Sequence, residues 1–86
     1  MSDINRVFLT GRLVADPDIR YTPQGNEVAQ FRIAVNMRFK SKQDPNNWQE
    51  ETSFITIIAW NWLANRVEKT FKKGDLVVVE GRLRIR

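Results

Sequence analysis

Apolar and polar positions alternate with a period of two along most of the chain, the pattern of half-buried strands. From Ile4 to Leu13, Val7, Leu9 and Leu13 fall on one face, while Phe8, Thr10 and Arg12 fall on the other. Gly11 inside this run predicts a bulge or bend. Asp16-Pro17 ends the strand, Arg20-Tyr21-Thr22 reads as a short extended piece, and Pro23-Gln24-Gly25-Asn26 carries turn chemistry. A long second strand follows from about Glu27 to Phe39. Ala29, Phe31, Ile33, Val35 and Met37 share one of its faces; Gln30, Arg32, Asn36 and Arg38 share the other. Lys40 to Gln49 is polar, with Asp44-Pro45 and Asn46-Asn47, and predicts an exposed loop. The third strand, Thr52 to Trp60, is apolar on both sides, with Ile55, Ile57 and Ala59 opposite Phe54, Thr56, Ile58 and Trp60.

The period changes once. Asn61 suits an N-cap, Leu63, Ala64, Val67, Thr70 and Phe71 form one helical stripe, and Lys72-Lys73-Gly74 closes it. A fourth strand, Leu76 to Arg86, then points Val77, Val79, Leu83 and Ile85 inward, with Gly81 as a second bend and Val78, Glu80, Arg82, Arg84 and Arg86 outward. Bend glycines in the first and last strands favour a curled sheet over a flat one. Three strands, a helix and a strand make the order of an OB-fold. That all-β fold is a five-stranded Greek-key barrel with its helix between the third and fourth strands, and here the fifth strand is missing. One domain, residues 1–86, is expected.

At 86 residues, such a domain buries only about 60–65% of the surface its unfolded chain exposes. Oligomerisation is therefore expected to add buried area. There is no Cys and no His, which excludes disulfides, thiolate sites and the commonest general base. Four glycines at 11, 25, 74 and 81 form no phosphate-binding loop, and no nucleophile pairs with a base. No enzyme activity, cofactor or metal is expected. No apolar run exceeds four residues, against the ~20 a membrane helix needs. With no targeting segment, the expectation is a soluble, intracellular protein without membrane contact. Lys plus Arg is 14 and Asp plus Glu is 10, a net charge of +4. Three arginines in the last five residues give that excess a direction, toward a polyanion.

Aromatic residues interleaved with basic ones are the chemical signal. Single-stranded nucleic acid is held by cations along its phosphates and by rings that stack on unpaired bases. A third-strand face carrying Phe54, Thr56, Trp60 and Trp62 beside Arg82, Arg84 and Arg86 supplies both components. Phe31 and Phe71 share faces with aliphatic residues and read as core. For Phe54 and Trp60 the exposed face serves either nucleic acid or a subunit interface. Strict alternation puts Phe39 with Phe31, Ile33 and Val35, so it reaches the outside only through a twist or bulge near Arg38. Trp48, in the polar stretch, either meets a partner or packs back on the barrel.

These residues resemble a known family, the single-stranded DNA-binding proteins of bacteria and mitochondria. "INRVFLTGRLVADPDIRYTPQGNEVAQFRIAV" is similar to the family's first two strands, and "FKKGDLVVVEGRLRIR" to its helix end and fourth strand. The resemblance implies an OB-fold that binds single-stranded DNA without sequence preference in replication, recombination and repair. It implies a homotetramer in a bacterial cytoplasm, associated with the nucleoid, rather than in a mitochondrion. Phe39, Phe54 and Trp60 match the family's base-stacking positions and favour the twisted reading of Phe39. Lys42, Lys73, Arg84 and Arg86 match its phosphate contacts, and Arg6 matches a basic position in the first strand.

There are departures. Phe stands at 39 and 54 where Trp is more usual. Trp62 replaces a common basic residue, adding a stacking surface or shifting the strand path. Thr56 lacks a positive charge often found there, and Ile55 implies a drier subunit contact. The family's acidic tail is absent, so the partner proteins it recruits are not expected. The rival reading is an OB accessory module of primosome type, whose exposed sheet docks on a replication protein. The arginines at 82, 84 and 86 argue against it.

Overall fold

The structure, a computed structural model, describes residues 2–85. The chain runs β1 (Val7–Leu13), β2 (Asp18–Tyr21), β3 (Glu27–Lys40), β4 (Trp48–Trp60), α1 (Trp62–Thr70) and β5 (Leu76–Gly81). The five strands among the described residues, the short β2 added to the four expected, join one antiparallel sheet in the order β2-β3-β1-β5, with β4 on the other edge of β3. β3 is the hub. Its first residues pair with β2, Ile33 and Ala34 pair with the end of β1, and nearly its whole length pairs with β4.

The predicted alternation holds wherever a strand covers the core. Leu13, Ala29, Phe31, Ile33, Ala59 and Val77 are buried, with Leu9, Val35, Ile55, Ile57 and Val79 packed beside them. Ala64 and Val67 of α1 close this layer, joined by Phe71. Leu63 and Thr70, expected on the same helical stripe, are exposed. Ile33 is the largest fully buried side chain, at 0% exposure. Ile33→Ala removes three carbons from a fully buried site, and is expected to cost about 2–5 kcal/mol in urea unfolding.

Gly11 introduces no bulge, since the β1–β5 register runs unbroken from Val7↔Gly81 to Arg12↔Leu76. What demands glycine there is a backbone crossing: a Cβ would lie 2.6 Å from the Ala34 carbonyl oxygen. Gly81 is no bend either. It ends β5, and the predicted continuation to Arg86 does not form within the described residues, because β1 has no residue paired beyond Val7. Instead the Asn5 side chain imitates a strand. Its Nδ2 donates to the Leu83 carbonyl (2.8 Å) and its Oδ1 accepts from the Leu83 N–H (2.9 Å). Leu83 and Ile85 are consequently exposed rather than inward.

The polar stretch Lys40 to Gln49 is mostly the expected loop, with strand only at its two ends. β3 extends to Lys40 and β4 begins at Trp48, leaving residues 41–47 as the loop. Cross-strand pairs replace burial here. Thr52 Oγ1 donates to Asn36 Oδ1 (2.7 Å), and Arg38 faces Glu50 (3.8 Å). The end is pinned by the Ser41 N–H donating to Asn47 O and by Asp44 Oδ1 accepting from the Asn46 N–H.

Asn61 precedes the helix but does not cap it with its side chain. Its φ of 55° and ψ of −122° match the first central residue of a type II′ turn. The Asn61 N–H donates to Glu27 O (2.7 Å), and its Oδ1 accepts from the Glu27 N–H (3.3 Å). This turn ties the end of β4 to the start of β3 and sets Trp60 and Trp62 on either side of a sharp corner. α1, the one helix, is too short to cross a membrane, and no helix among the described residues does so.

Candidate nucleic-acid interface

The β3–β4 register runs without interruption from Val28↔Trp60 to Lys40↔Trp48. Because strand side chains alternate, this fixes two faces. The inner face carries Phe31, Ile33 and Val35 with Ile55, Ile57 and Ala59. The outer face carries Trp48, Phe54, Thr56, Ile58 and Trp60 from β4, opposite Arg32, Arg38 and Lys40 of β3. The outer aromatics are half open to water: Phe54 is 56% exposed and Trp60 48%. Arg32 lies over the Phe54 ring, 5.1 Å from its centroid, a cation–π geometry that holds guanidinium and ring together.

β4 pairs only with β3, and β5 only with β1, so each keeps a free edge. Between those edges lies a groove of about 780 Å³. Val7, Leu9, Ile55, Ile57 and Val79 form its apolar floor. Trp60, Thr56, Gln30, Asn5, Arg82 and Arg84 form its polar and aromatic margins. Arg82 and Arg84 have no carboxylate partner among the described residues, so their charge is available to an anion.

The expected site is thus only partly gathered. Trp60, Arg82 and Arg84 surround one groove, and Phe54 continues the Trp60 face six residues along β4. Arg6 borders a small hollow with Arg82, but its guanidinium is held 3.6 Å from Glu80. Trp62 is the exposed first residue of α1, around the Asn61 corner from Trp60 rather than on its strand face. Lys42 sits in the loop at the far end of the β3–β4 hairpin. Lys73 sits in the α1–β5 connection, where its N–H donates to Asp16 Oδ1 (2.8 Å). Arg86 lies outside the described residues. Phe39 departs from the twisted reading: with no bulge in the ladder it pairs with Gln49 and shares the face of Phe31, Ile33 and Val35, opposite Phe54 and Trp60. It remains 39% exposed because the hairpin has outrun the core at that point. Arg32, Arg38 and Lys40 were not singled out as site residues from sequence. Their shared alternation with Trp48, Phe54 and Trp60 emerges only once the register is known.

Known proteins match this arrangement. The model of the single-strand binding protein family matches residues 4–86. The chain is 46% identical over 83 residues to a single-stranded DNA-binding protein of Bacillus cereus, and 43% identical over 83 residues to single-stranded DNA-binding protein A of Bacillus subtilis. Each alignment covers 96% of this chain but 46% of the relative, so the chain spans about half the length of the curated relatives it matches. The structure of Plasmodium falciparum SSB in complex with ssDNA superposes with a TM-score of 0.87 at 26% identity, over 95% of this chain and 72% of that one. The fold is an OB-fold, and the chain belongs to the single-strand binding protein family.

Proposed function

We propose that this domain binds single-stranded DNA without sequence preference, stacking bases on Trp60 and Phe54 and neutralising phosphates with Arg82 and Arg84. The observation that carries this reading is the groove margin shared by Trp60 and two arginines that have no carboxylate partner among the described residues. A ring offers a stacking face to any base, which is why stacking on this margin carries little sequence preference. The relatives' names and the ssDNA bound in the structural neighbour support the same reading. Trp62, Lys42, Lys73, Arg6 and Arg86 extend the site as a DNA strand leaves the groove. Phe39 contacts DNA only if the strand wraps around the hairpin to its other face.

The domain acts as a homo-oligomer, on the family pattern a tetramer, in a bacterial cytoplasm and at the nucleoid, covering single strands exposed in replication, recombination and repair. Its own surface supports association. Phe8, Leu76 and Val78 stand exposed together on the outer face of the β1–β5 pair, an apolar patch that water alone would leave costly.

The test is intrinsic tryptophan fluorescence during titration with oligo-dT. Quenching is expected. Trp60→Ala should weaken binding by about 1–3 kcal/mol, roughly 5- to 150-fold, with little dependence on base sequence. Its half-exposed ring contributes little to the core, so the thermal midpoint should barely move. A Trp60→Ala protein that melts early yet retains its affinity would make Trp60 a structural residue. Absence of any oligonucleotide binding would leave the exposed sheet to a protein partner.

A further inference from the structure

The six-residue interval between Trp60 and Phe54 on the outer face of β4 repeats once more, at Trp48. Phe54 pairs with Ala34 across the ladder, and the cation over its ring, Arg32, stands two residues before that partner. Trp48 pairs with Lys40, and Arg38, again two residues before the partner, lies 5.2 Å from the indole centroid. Lys40 adds a second cation at 5.4 Å. The same diagonal unit, a β3 cation over a β4 aromatic ring, is therefore built twice on one face.

The distal copy has no structural duty in the core. Trp48 belongs neither to the buried cluster nor to the residues packed on it, and it is 51% exposed at the end of a ribbon solvated on both sides. An indole left in water is costly, and of the two cations beside it Arg38 meets Glu50 only at 3.8 Å across an exposed surface, while Lys40 has no carboxylate partner among the described residues. A base stacked on the ring covers the exposed indole and brings its own phosphate to those cations.

We propose that Trp48, with Arg38 and Lys40, forms an outlying stacking station for single-stranded DNA, so that the binding track runs along the whole outer face of β4. The proposal rests on the single-stranded DNA reading above. At about 3.3 Å per strand residue, Phe54 lies ~20 Å from Trp60 and Trp48 lies ~40 Å from it. A short strand seated in the groove falls short of Trp48, and a long one reaches it. Occupancy of the distal station thus depends on strand length.

Two variants with a single tryptophan separate the stations. Trp60→Phe with Trp62→Phe leaves Trp48 as the reporter; Trp48→Phe with Trp62→Phe leaves Trp60. Each is titrated with oligo-dT of about 6 nucleotides, near the low end of an OB-fold site, and of about 30, roughly twice its upper end. Trp60 should be quenched by both, and Trp48 by the long strand alone. Trp48→Ala should lower affinity for the long strand about fivefold, leave the short strand unaffected and keep the thermal midpoint. Quenching of Trp60 with a silent Trp48 would overturn the distal station while sparing the function. Silence of both reporters, with no binding detected by either, would overturn the function and the station together.

Discussion

Gly11→Ala is expected to unfold the domain or leave it molten at ambient temperature. Gly11 is buried in β1 between the inward residues Leu9 and Leu13, opposite Val77. An added Cβ would stand 2.6 Å from the Ala34 carbonyl oxygen, 3.2 Å from its carbon and 3.3 Å from Ile33 Cβ. These are backbone and fully buried atoms, which no rotamer change can move aside. Relief requires β1 to lift off β3, yet the β1–β3 register consists only of Arg12↔Ala34 and Leu13↔Ile33. Overpacking a core typically costs about 1–3 kcal/mol, and more where backbone must shift. A small domain has only about 5–15 kcal/mol to lose. Gly81→Ala is the control, because nothing lies within 4 Å of its Cβ position. It should stay within about 0.5 kcal/mol of the parent. Urea unfolding followed by circular dichroism distinguishes the two; equal midpoints would mean that β1 and β3 are not in contact as described.

That pair of glycines also shows what a sequence reveals. A glycine inside a strand pattern signals a bulge, a bend or a close approach. Which of these applies depends on what crosses behind it, and Ala34 is 23 positions away in sequence. The core strands were legible because burial on one side imposes period-two alternation. The start of β4, from Trp48 to Glu51, was not, because both faces of the ribbon are wet there and it is held by cross-strand pairs such as Arg38–Glu50, which single positions do not announce. β5 failed in the opposite sense. Leu83 and Ile85 keep the alternation, but a strand requires a partner, and past Val7 only the Asn5 side chain supplies one. At the site, Trp60, Phe54, Arg82 and Arg84 were legible as an aromatic–basic combination. The cations of β3 were not, since their placement beside the aromatics is a property of register.

Affinity for oligo-dT is expected to fall steeply with salt, and the slope counts the cations on the track. Arg82 and Arg84 are without carboxylate partners among the described residues, as are Arg32 and Lys40. Arg38 meets Glu50 only at 3.8 Å across an exposed surface, a pair weak enough to yield to phosphate. Arg6 is engaged by Glu80 and is left out of the count. These five contacts alone, for a strand too short to reach the outlying Lys42, Lys73 and Arg86, give at about −0.7 each a slope near −3.5 in log K against log salt, so a tenfold rise in salt weakens binding about 3,000-fold. Arg84→Ala should shallow the slope by about 0.7, because it removes one released counterion. Trp60→Ala should instead displace the line downward and leave it parallel, since stacking releases none. A slope beyond about −5 would bring Lys42 and Lys73 into contact with the strand as well. A flat line would remove the arginines from the interface and leave stacking alone to hold the DNA.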